Sequence, residues 1–217
     1  MVKKKASNKT WLRKQNSDSY VLAAKRDGFR SRASYKLIEL DNKFNFLFSG
    51  AKVLDLGSSP GGWSQVAISR ITEKGKLIAC DILPMEPLTG ATFIRGDFTE
   101  SDTKESIVCA FSHSKVDLVM SDMAPNLSGM NSIDQPRSMY LAELATYVSE
   151  DILREGGGFV VKLFNGEGFD QFVHACRHAF KKVNVAKPKS SRPKSREVYL
   201  VGRGYLGESI LGDTGVY

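Results

Sequence analysis

The chain is short of cysteine, of histidine and of long apolar runs, and each shortage closes off a class of protein. Cys80, Cys109 and Cys176 lie far apart with no CxxC pair. Neither a disulfide framework nor a structural zinc site is expected, and the three read as reduced, small apolar residues. His174 and His178 have the i, i+4 spacing of a zinc-protease helix, but no glutamate follows the first. They read as a helix-surface pair, and no metal is expected. No apolar run approaches the ~20 residues of a membrane-spanning helix. Residues 1–10 are polar and lysine-rich and lack the apolar stretch of a secretory signal, which points to the cytoplasm.

The 217 residues are 41% hydrophobic, enough for one domain with a real core and no long disordered stretch. The net charge is +7, and its distribution says more than its size. Residues 1–32 hold 10 Lys or Arg and 2 acids, and residues 181–196 hold 7 basic residues and no acid. The remainder is acidic by about −8. Two basic segments on an acidic body form an electrostatic footprint for a polyanion, nucleic acid first. A solubilising tail plus a solvated face explains one such segment better than two.

Residues 1–30 read as a basic, partly ordered arm, residues 31–203 as the folded domain and residues 204–217 as a tail. Ser31 is the expected cap of a first helix with Ala33, Leu37, Leu40 and Phe44 on one face. Strands are expected at Val53–Leu56, Lys76–Ile82, Thr92–Phe98, Asp117–Met123, Phe159–Phe164, Lys182–Ala186 and Glu197–Val201. Helices are expected around Trp63–Arg70, Asp102–Phe111, Ser138–Leu153 and Phe169–Phe180, with Ala124–Pro136 a polar loop. Gly156–Gly158 is expected to end one helix and start the next strand. This alternation predicts an α/β, Rossmann-like fold: a mostly parallel, doubly wound, seven-stranded sheet. The last two strands have no helix between them, so they should form an antiparallel edge hairpin.

The turn Asp55-Leu-Gly-Ser-Ser-Pro-Gly-Gly62 follows the first strand and opens a helix, the place where open α/β sheets bind nucleotide-like ligands. Gly57 and Gly61 allow close backbone approach, and the helix start offers free N–H groups. Asp81 ends the next strand, where an acid accepts bonds from both ribose hydroxyls. Asp97 holds the equivalent place after the third strand, suited to an adenine amino group, with Ile82 and Phe98 beside the two acids. A dehydrogenase fits part of this pattern, but its GxGxxG run is GSSPGG here, and Pro60 removes an N–H from any pyrophosphate cradle. A phosphate-free ligand such as S-adenosylmethionine fits better.

Asp122 ends the fourth strand, with Leu118, Met120 and Asp122 on one side by alternation. Enzymes that methylate amino groups commonly carry Asn-Pro-Pro-Tyr here, whereas this chain has Asp-Met-Ala-Pro, which argues against a base nitrogen as target. Lys162 lies inside the apolar run Phe159-Val-Val-Lys-Leu-Phe164. A central-strand lysine is costly unless paired or functional, although an edge-strand lysine could snorkel to water. Burial disfavours an ammonium and makes a neutral amine available as a base. Methyl transfer to a hydroxyl needs such a base, because a protonated alcohol is a poor nucleophile. Glu197 starts the last strand and, if that strand is antiparallel, reaches the edge shared by Lys162 and Asp122. Lys36 joins them only if the first helix folds over that edge.

Seven runs give these residues a family resemblance: Ser31-Arg-Ala-Ser-Tyr-Lys-Leu37, Asp55-Leu-Gly-Ser-Ser-Pro-Gly-Gly-Trp-Ser-Gln65, Ala79-Cys-Asp-Ile-Leu-Pro-Met85, Gly96-Asp-Phe98, Met120-Ser-Asp-Met-Ala-Pro-Asn126, Phe159-Val-Val-Lys162 and Ser195-Arg-Glu-Val-Tyr199. Together they span nearly the whole chain, which resembles the FtsJ/RrmJ (RlmE) family of ribosomal RNA ribose 2′-O-methyltransferases. The resemblance implies a class I S-adenosylmethionine-dependent methyltransferase fold. It implies a catalytic tetrad of Lys36, Asp122, Lys162 and Glu197, with Lys162 as general base. Cofactor contacts are implied at Gly61, Trp63, Asp81, Asp97 and Asp122, beside Gly57, Pro60, Ile82 and Phe98 on the same loops. The implied substrate is a uridine of 23S ribosomal RNA in the assembled large subunit, with no membrane and no obligate protein partner. Transfer RNA, a messenger RNA cap, or a non-catalytic role in ribosome assembly are the alternatives. The tail from Gly204 to Tyr217 is longer than the family pattern.

Overall fold

The computed structural model describes residues 18–212, so expectations for residues 1–17 and 213–217 lie outside the described residues. Seven strands, β1 (Lys52–Leu56), β2 (Lys76–Asp81), β3 (Ala91–Arg95), β4 (Val116–Ser121), β5 (Leu153–Phe164), β6 (Phe180–Ala186) and β7 (Glu197–Tyr205), form one sheet in the order β3-β2-β1-β4-β5-β7-β6. β1 pairs in parallel with both β2 and β4, and β4 with β5, while β7 runs antiparallel between β5 and β6. The doubly wound sheet with its antiparallel edge hairpin is therefore as expected. The central strands read Lys-Val-Leu-Asp-Leu and Val-Asp-Leu-Val-Met-Ser, apolar on both faces because both faces are covered.

The six described helices are α1 (Ser19–Arg26), α2 (Ala33–Phe44), α3 (Gly62–Ile71), α4 (Ser101–Ala110), α5 (Asn131–Ile152) and α6 (Phe169–Ala179). Leu37, Leu40 and Phe44 of α2 and Trp63, Val66 and Ile71 of α3 close one face over Val53, Leu118, Met120, Val160 and Tyr199. Ile107 of α4, Met139 and Val148 of α5 and Phe172 of α6 close the other over Leu54, Ile78, Val119, Phe159 and Leu163. Each such side chain, fully buried, is worth ~1.5–3 kcal/mol. The order of strand addition reverses between β1 and β4, which run parallel, and this switch point opens a crevice at the carboxyl ends of the strands.

Three local expectations are corrected, and detail is added at the arm and the tail. Ser31 does not cap α2: the cap position is Arg32, with helical backbone and no side-chain bond that caps the helix, and the Ser31 hydroxyl packs against Gly62, where a Cβ would lie 2.2 Å from it. Residues 18–30 include a helix, α1, capped by Asp18, which accepts from Tyr20 N at 3.1 Å. Helix α5 begins at Asn131 and contains Pro136, so the polar loop ends earlier than expected. Tertiary bonds hold that first turn in place of the missing N–H. Asp134 accepts from Ser128 N (2.8 Å), Ser128 Oγ (2.8 Å) and Gly129 N (3.0 Å), and Gln135 Nε2 donates to the carbonyls of Phe164 (3.0 Å) and Glu167 (2.9 Å). Gly156–Gly158 does not start β5, which follows α5 directly at Leu153 and takes up the glycines where its register with β4 shifts between Val116 and Leu118. The tail docks as far as it is described: Ile210 is buried, and Glu150 Oε1 accepts from Ile210 N at 2.5 Å and Ser209 Oγ at 3.2 Å.

Candidate active site

A cavity of about 260 Å³ opens at the switch point. Gly57, Asp81, Ile82, Asp97 and Phe98 line it from the strand ends, and Thr99, Met123, Tyr140, Leu141 and Leu144 complete it. Gly57 has φ +70 and packs so closely on Met123 that a Cβ would lie 2.1 Å from its Cγ. A side chain at residue 57 would close the cavity floor. Asp81 is fixed by Ser59 N (2.8 Å) on Oδ2 and Leu83 N (2.8 Å) on Oδ1. Asp97 accepts from Thr99 N (2.9 Å) and Thr99 Oγ1 (2.7 Å), both at Oδ1. The Ser58 hydroxyl on the same turn is buried with no partner among the described residues. Two carboxylates in a mostly apolar cavity accept from hydroxyls and amines and repel phosphates. That acceptor set fits S-adenosylmethionine and does not fit a dinucleotide pyrophosphate.

Pro60, Gly61 and Trp63 lie on the adjoining turn and helix start, outside the cavity lining. The Trp63 indole points into the core, donating to Ala33 O at 2.9 Å and packing on Tyr199 with ring centres 5.7 Å apart. The turn is braced by Arg30, whose guanidinium donates to the carbonyls of Pro60 (3.2 Å), Glu86 (2.7 Å) and Pro87 (2.6 Å). One cation of the basic arm is thus occupied inside the fold. A larger, open cavity of about 730 Å³ on α6, lined by His174, Arg177 and Val185, carries no chemistry comparable to the switch point. His174 and His178 approach each other there at 3.0 Å. Among the described residues no three His, Cys, Asp or Glu side chains gather as metal ligands.

The four residues expected to act together do meet. Asp122 lies one residue past β4, Lys162 is in β5, Glu197 opens β7 opposite Phe164, and Lys36 comes from the first turn of α2. Lys162 Nζ is 3.0 Å from Asp122 Oδ1 and also donates to the Asp122 carbonyl. Lys36 Nζ is 2.7 Å from Glu197 Oε1 and 3.7 Å from Asp122 Oδ1. Both lysines are buried, at 7% and 8% exposure, so the central-strand ammonium is paired as its burial demands. Burial alone would raise the Asp122 carboxyl, but the Lys162 and Lys36 charges and the Tyr199 hydroxyl outweigh it and hold it below the usual carboxylate range. Asp55, beneath the turn, goes the other way. Burial, reinforced by the charges of Asp122 and Asp81 and opposed by the Ser64 hydroxyl at 2.6 Å and the Ser64 backbone N–H, pushes it up to about 7.

Tyr199 is the residue the sequence reading passed over. Its hydroxyl donates to Asp122 Oδ1 at 2.6 Å, and its ring lies 5.5 Å beneath Lys36 Nζ. Burial and the neighbouring carboxylates of Asp122 and Glu197 keep that phenol protonated. The signal was available: Glu197 and Tyr199 are two apart on one strand and so share a face. The Tyr140, Leu141 and Leu144 wall was harder to find, because it depends on how α5 packs.

The model of the FtsJ-like methyltransferase family matches residues 29–205. Ribosomal RNA large subunit methyltransferase E of Hahella chejuensis is 51% identical over 201 residues, which cover 93% of this chain and 98% of that protein. The protein of the same description from Chromohalobacter salexigens is 52% identical, covering 93% and 96%. A solved structure described as a ribosomal RNA methyltransferase from Plasmodium falciparum superposes with a TM-score of 0.75 at 33% identity, over 83% of this chain and 100% of that one. The chain belongs to the FtsJ-like methyltransferase family.

Proposed function

We propose that the chain methylates the ribose 2′-hydroxyl of a uridine in 23S ribosomal RNA, on the assembled large subunit, with S-adenosylmethionine as methyl donor. The observation that carries the reading is the buried network in which two lysines share the carboxylate of Asp122, the residue before Met123 of the acid-lined cavity. The names of the curated relatives, ribosomal RNA large subunit methyltransferases, support the substrate class.

When bound, S-adenosylmethionine supplies a methyl group already activated by its sulfonium. Asp81 holds the ribose hydroxyls, Asp97 the adenine amino group, and Gly57 leaves room for the ligand against the turn. What remains for the protein is alignment and proton removal. Among the described residues Lys36 is held between two carboxylates and Lys162 lies against Asp122 alone, so the base role falls to Lys162 and the anchoring role to Lys36. Asp122 orients Lys162 and is itself fixed by Tyr199. Lys36, anchored by Glu197, orients the substrate hydroxyl and stabilises the oxygen as it loses its proton.

The test is transfer of labelled methyl groups to large subunits from a strain lacking the enzyme, followed by mapping of ribose methylation. Label at one uridine of 23S RNA is expected. Unlabelled subunits with label on transfer RNA or capped RNA supplied in parallel reactions would replace the substrate, and RNA binding without any transfer would make the protein an assembly factor.

A further inference from the structure

The basic loop between β6 and β7, residues 187–196, is tied down beside the tetrad. Glu39 of α2 accepts from Lys189 N at 2.5 Å and Ser190 N at 3.0 Å, and Ser191 Oγ donates to Glu197 Oε1 at 2.7 Å. At the other end of the same contact two arginines converge on one carboxylate oxygen. Arg32 reaches Asp18 Oδ2 through Nη1, and Arg192 Nε approaches the same oxygen at 3.5 Å. Arg32 also donates through Nη2 to the Ser190 carbonyl and lies over the Tyr20 ring at 5.7 Å. Two donors in this contact are buried without a partner among the described residues, Nε of Arg32 and Oγ of Ser190.

We propose that Arg32 and Arg192 form a clamp for a backbone phosphate of the substrate RNA, with Asp18 as the internal anion that the phosphate displaces. The inference rests on the RNA reading above. Two guanidinium groups aimed at one point are the donor set that recognises a phosphate, and a phosphate's extra oxygens can also take the donors that one carboxylate leaves unsatisfied. Asp18 and Arg32 are largely buried, whereas the Arg192 side chain is 59% exposed and opens the contact to solvent. Position fits the chemistry. Arg32 lies one helical turn before Lys36, about 5–6 Å between Cβ atoms. In a ribonucleotide the 2′-hydroxyl and the 3′-phosphate sit on adjacent carbons of one ribose, so a phosphate held near Arg32 sets its hydroxyl beside Lys36. The chain Arg32, Ser190, Ser191, Glu197, Lys36 links the clamp to the tetrad without a break.

Asp18→Asn separates this role from a structural one, because asparagine keeps the shape and the capping of α1. The probe is a fluorescently labelled single-stranded RNA oligonucleotide read by anisotropy, with thermal melting as the check on folding. Removing the competing charge should tighten RNA binding by ~3–10-fold, a gain that loss of a merely structural ion pair would not give. Arg192→Ala should weaken binding by about tenfold and reduce the log–log salt slope by about 1. In the double variant the Asp18→Asn gain should shrink. A folded Asp18→Asn protein that binds RNA no better than wild type, or an Arg192→Ala protein with unchanged affinity, overturns the clamp. Methyl transfer by the same proteins is scored separately: wild type that binds RNA but never transfers overturns the proposed function, while the Asp18→Asn result still decides the clamp.

Discussion

Replacing Asp122 by Asn keeps the volume of the side chain and removes its charge. In the folded protein that carboxylate lies 3.0 Å from Lys162 and 3.7 Å from Lys36 and accepts the Tyr199 hydroxyl at 2.6 Å. Lys36 retains Glu197, but Lys162 loses its one acidic partner. Stranding one charge of a buried pair costs ~3–5 kcal/mol. The cost is capped near ~5 kcal/mol, the free energy of deprotonating an ordinary lysine at pH 7. For a domain of this size each kcal/mol shifts the melting temperature by about 2–4 °C, so Asp122→Asn should melt roughly 6–20 °C below wild type at pH 7. The sign with pH follows from the depressed Asp122 carboxyl. Its stabilisation is present above the unfolded carboxylate value and is lost as pH falls through the lower folded value, so the gap should narrow in acid. Adding Lys162→Met removes the stranded ammonium and should recover much of the loss. Differential scanning calorimetry across pH measures both effects. An Asp122→Asn protein melting within about 1 °C of wild type at pH 7 would refute the paired-charge reasoning.

Two further outcomes are expected. Asp55, pushed up to about 7, destabilises the fold as it ionises: its contribution is full below the unfolded value of about 4 and is lost as pH rises through about 7. Asp55→Asn should therefore gain stability relative to wild type at pH 8 and flatten the pH dependence between those values, and an unchanged pH profile by urea titration contradicts the assignment. Asp81→Ala should weaken S-adenosylmethionine binding by removing charge-assisted bonds worth ~1.5–3 kcal/mol each, and calorimetry showing wild-type affinity in a folded variant would remove Asp81 from the cofactor site.

The central sheet and the glycine turn were legible because they follow from local rules: apolar strands with a period, a turn needing glycine, acids at strand ends. The meeting of Asp122, Lys162 and Glu197 was legible because β7 runs antiparallel beside β5, which brings its first residue to the shared edge. Lys36 was placed by resemblance, since the swing of α2 over that edge is a packing outcome. Local rules failed where tertiary bonds override them. Pro136 sits within α5 because Asp134 and Gln135 are bonded elsewhere, and Gly156–Gly158 falls in a bulge and not at a strand start. Tyr199 looked like an ordinary strand aromatic until Asp122 was seen at its hydroxyl. Arg30 was counted among the charges for a polyanion, yet it braces the glycine turn.

The base role of Lys162 is tested most directly by single-turnover methyl transfer to large subunits lacking the modification, comparing wild type with Lys162→Arg. Arginine preserves the positive charge and reaches Asp122, but it stays protonated at any usable pH and accepts no proton. A loss of the ~10²–10⁴-fold typical of a missing acid–base group is predicted, with cofactor affinity retained and with a wild-type rate that rises with pH to a plateau. Transfer by Lys162→Arg at near wild-type rate would contradict the account and leave Lys162 as an electrostatic positioner.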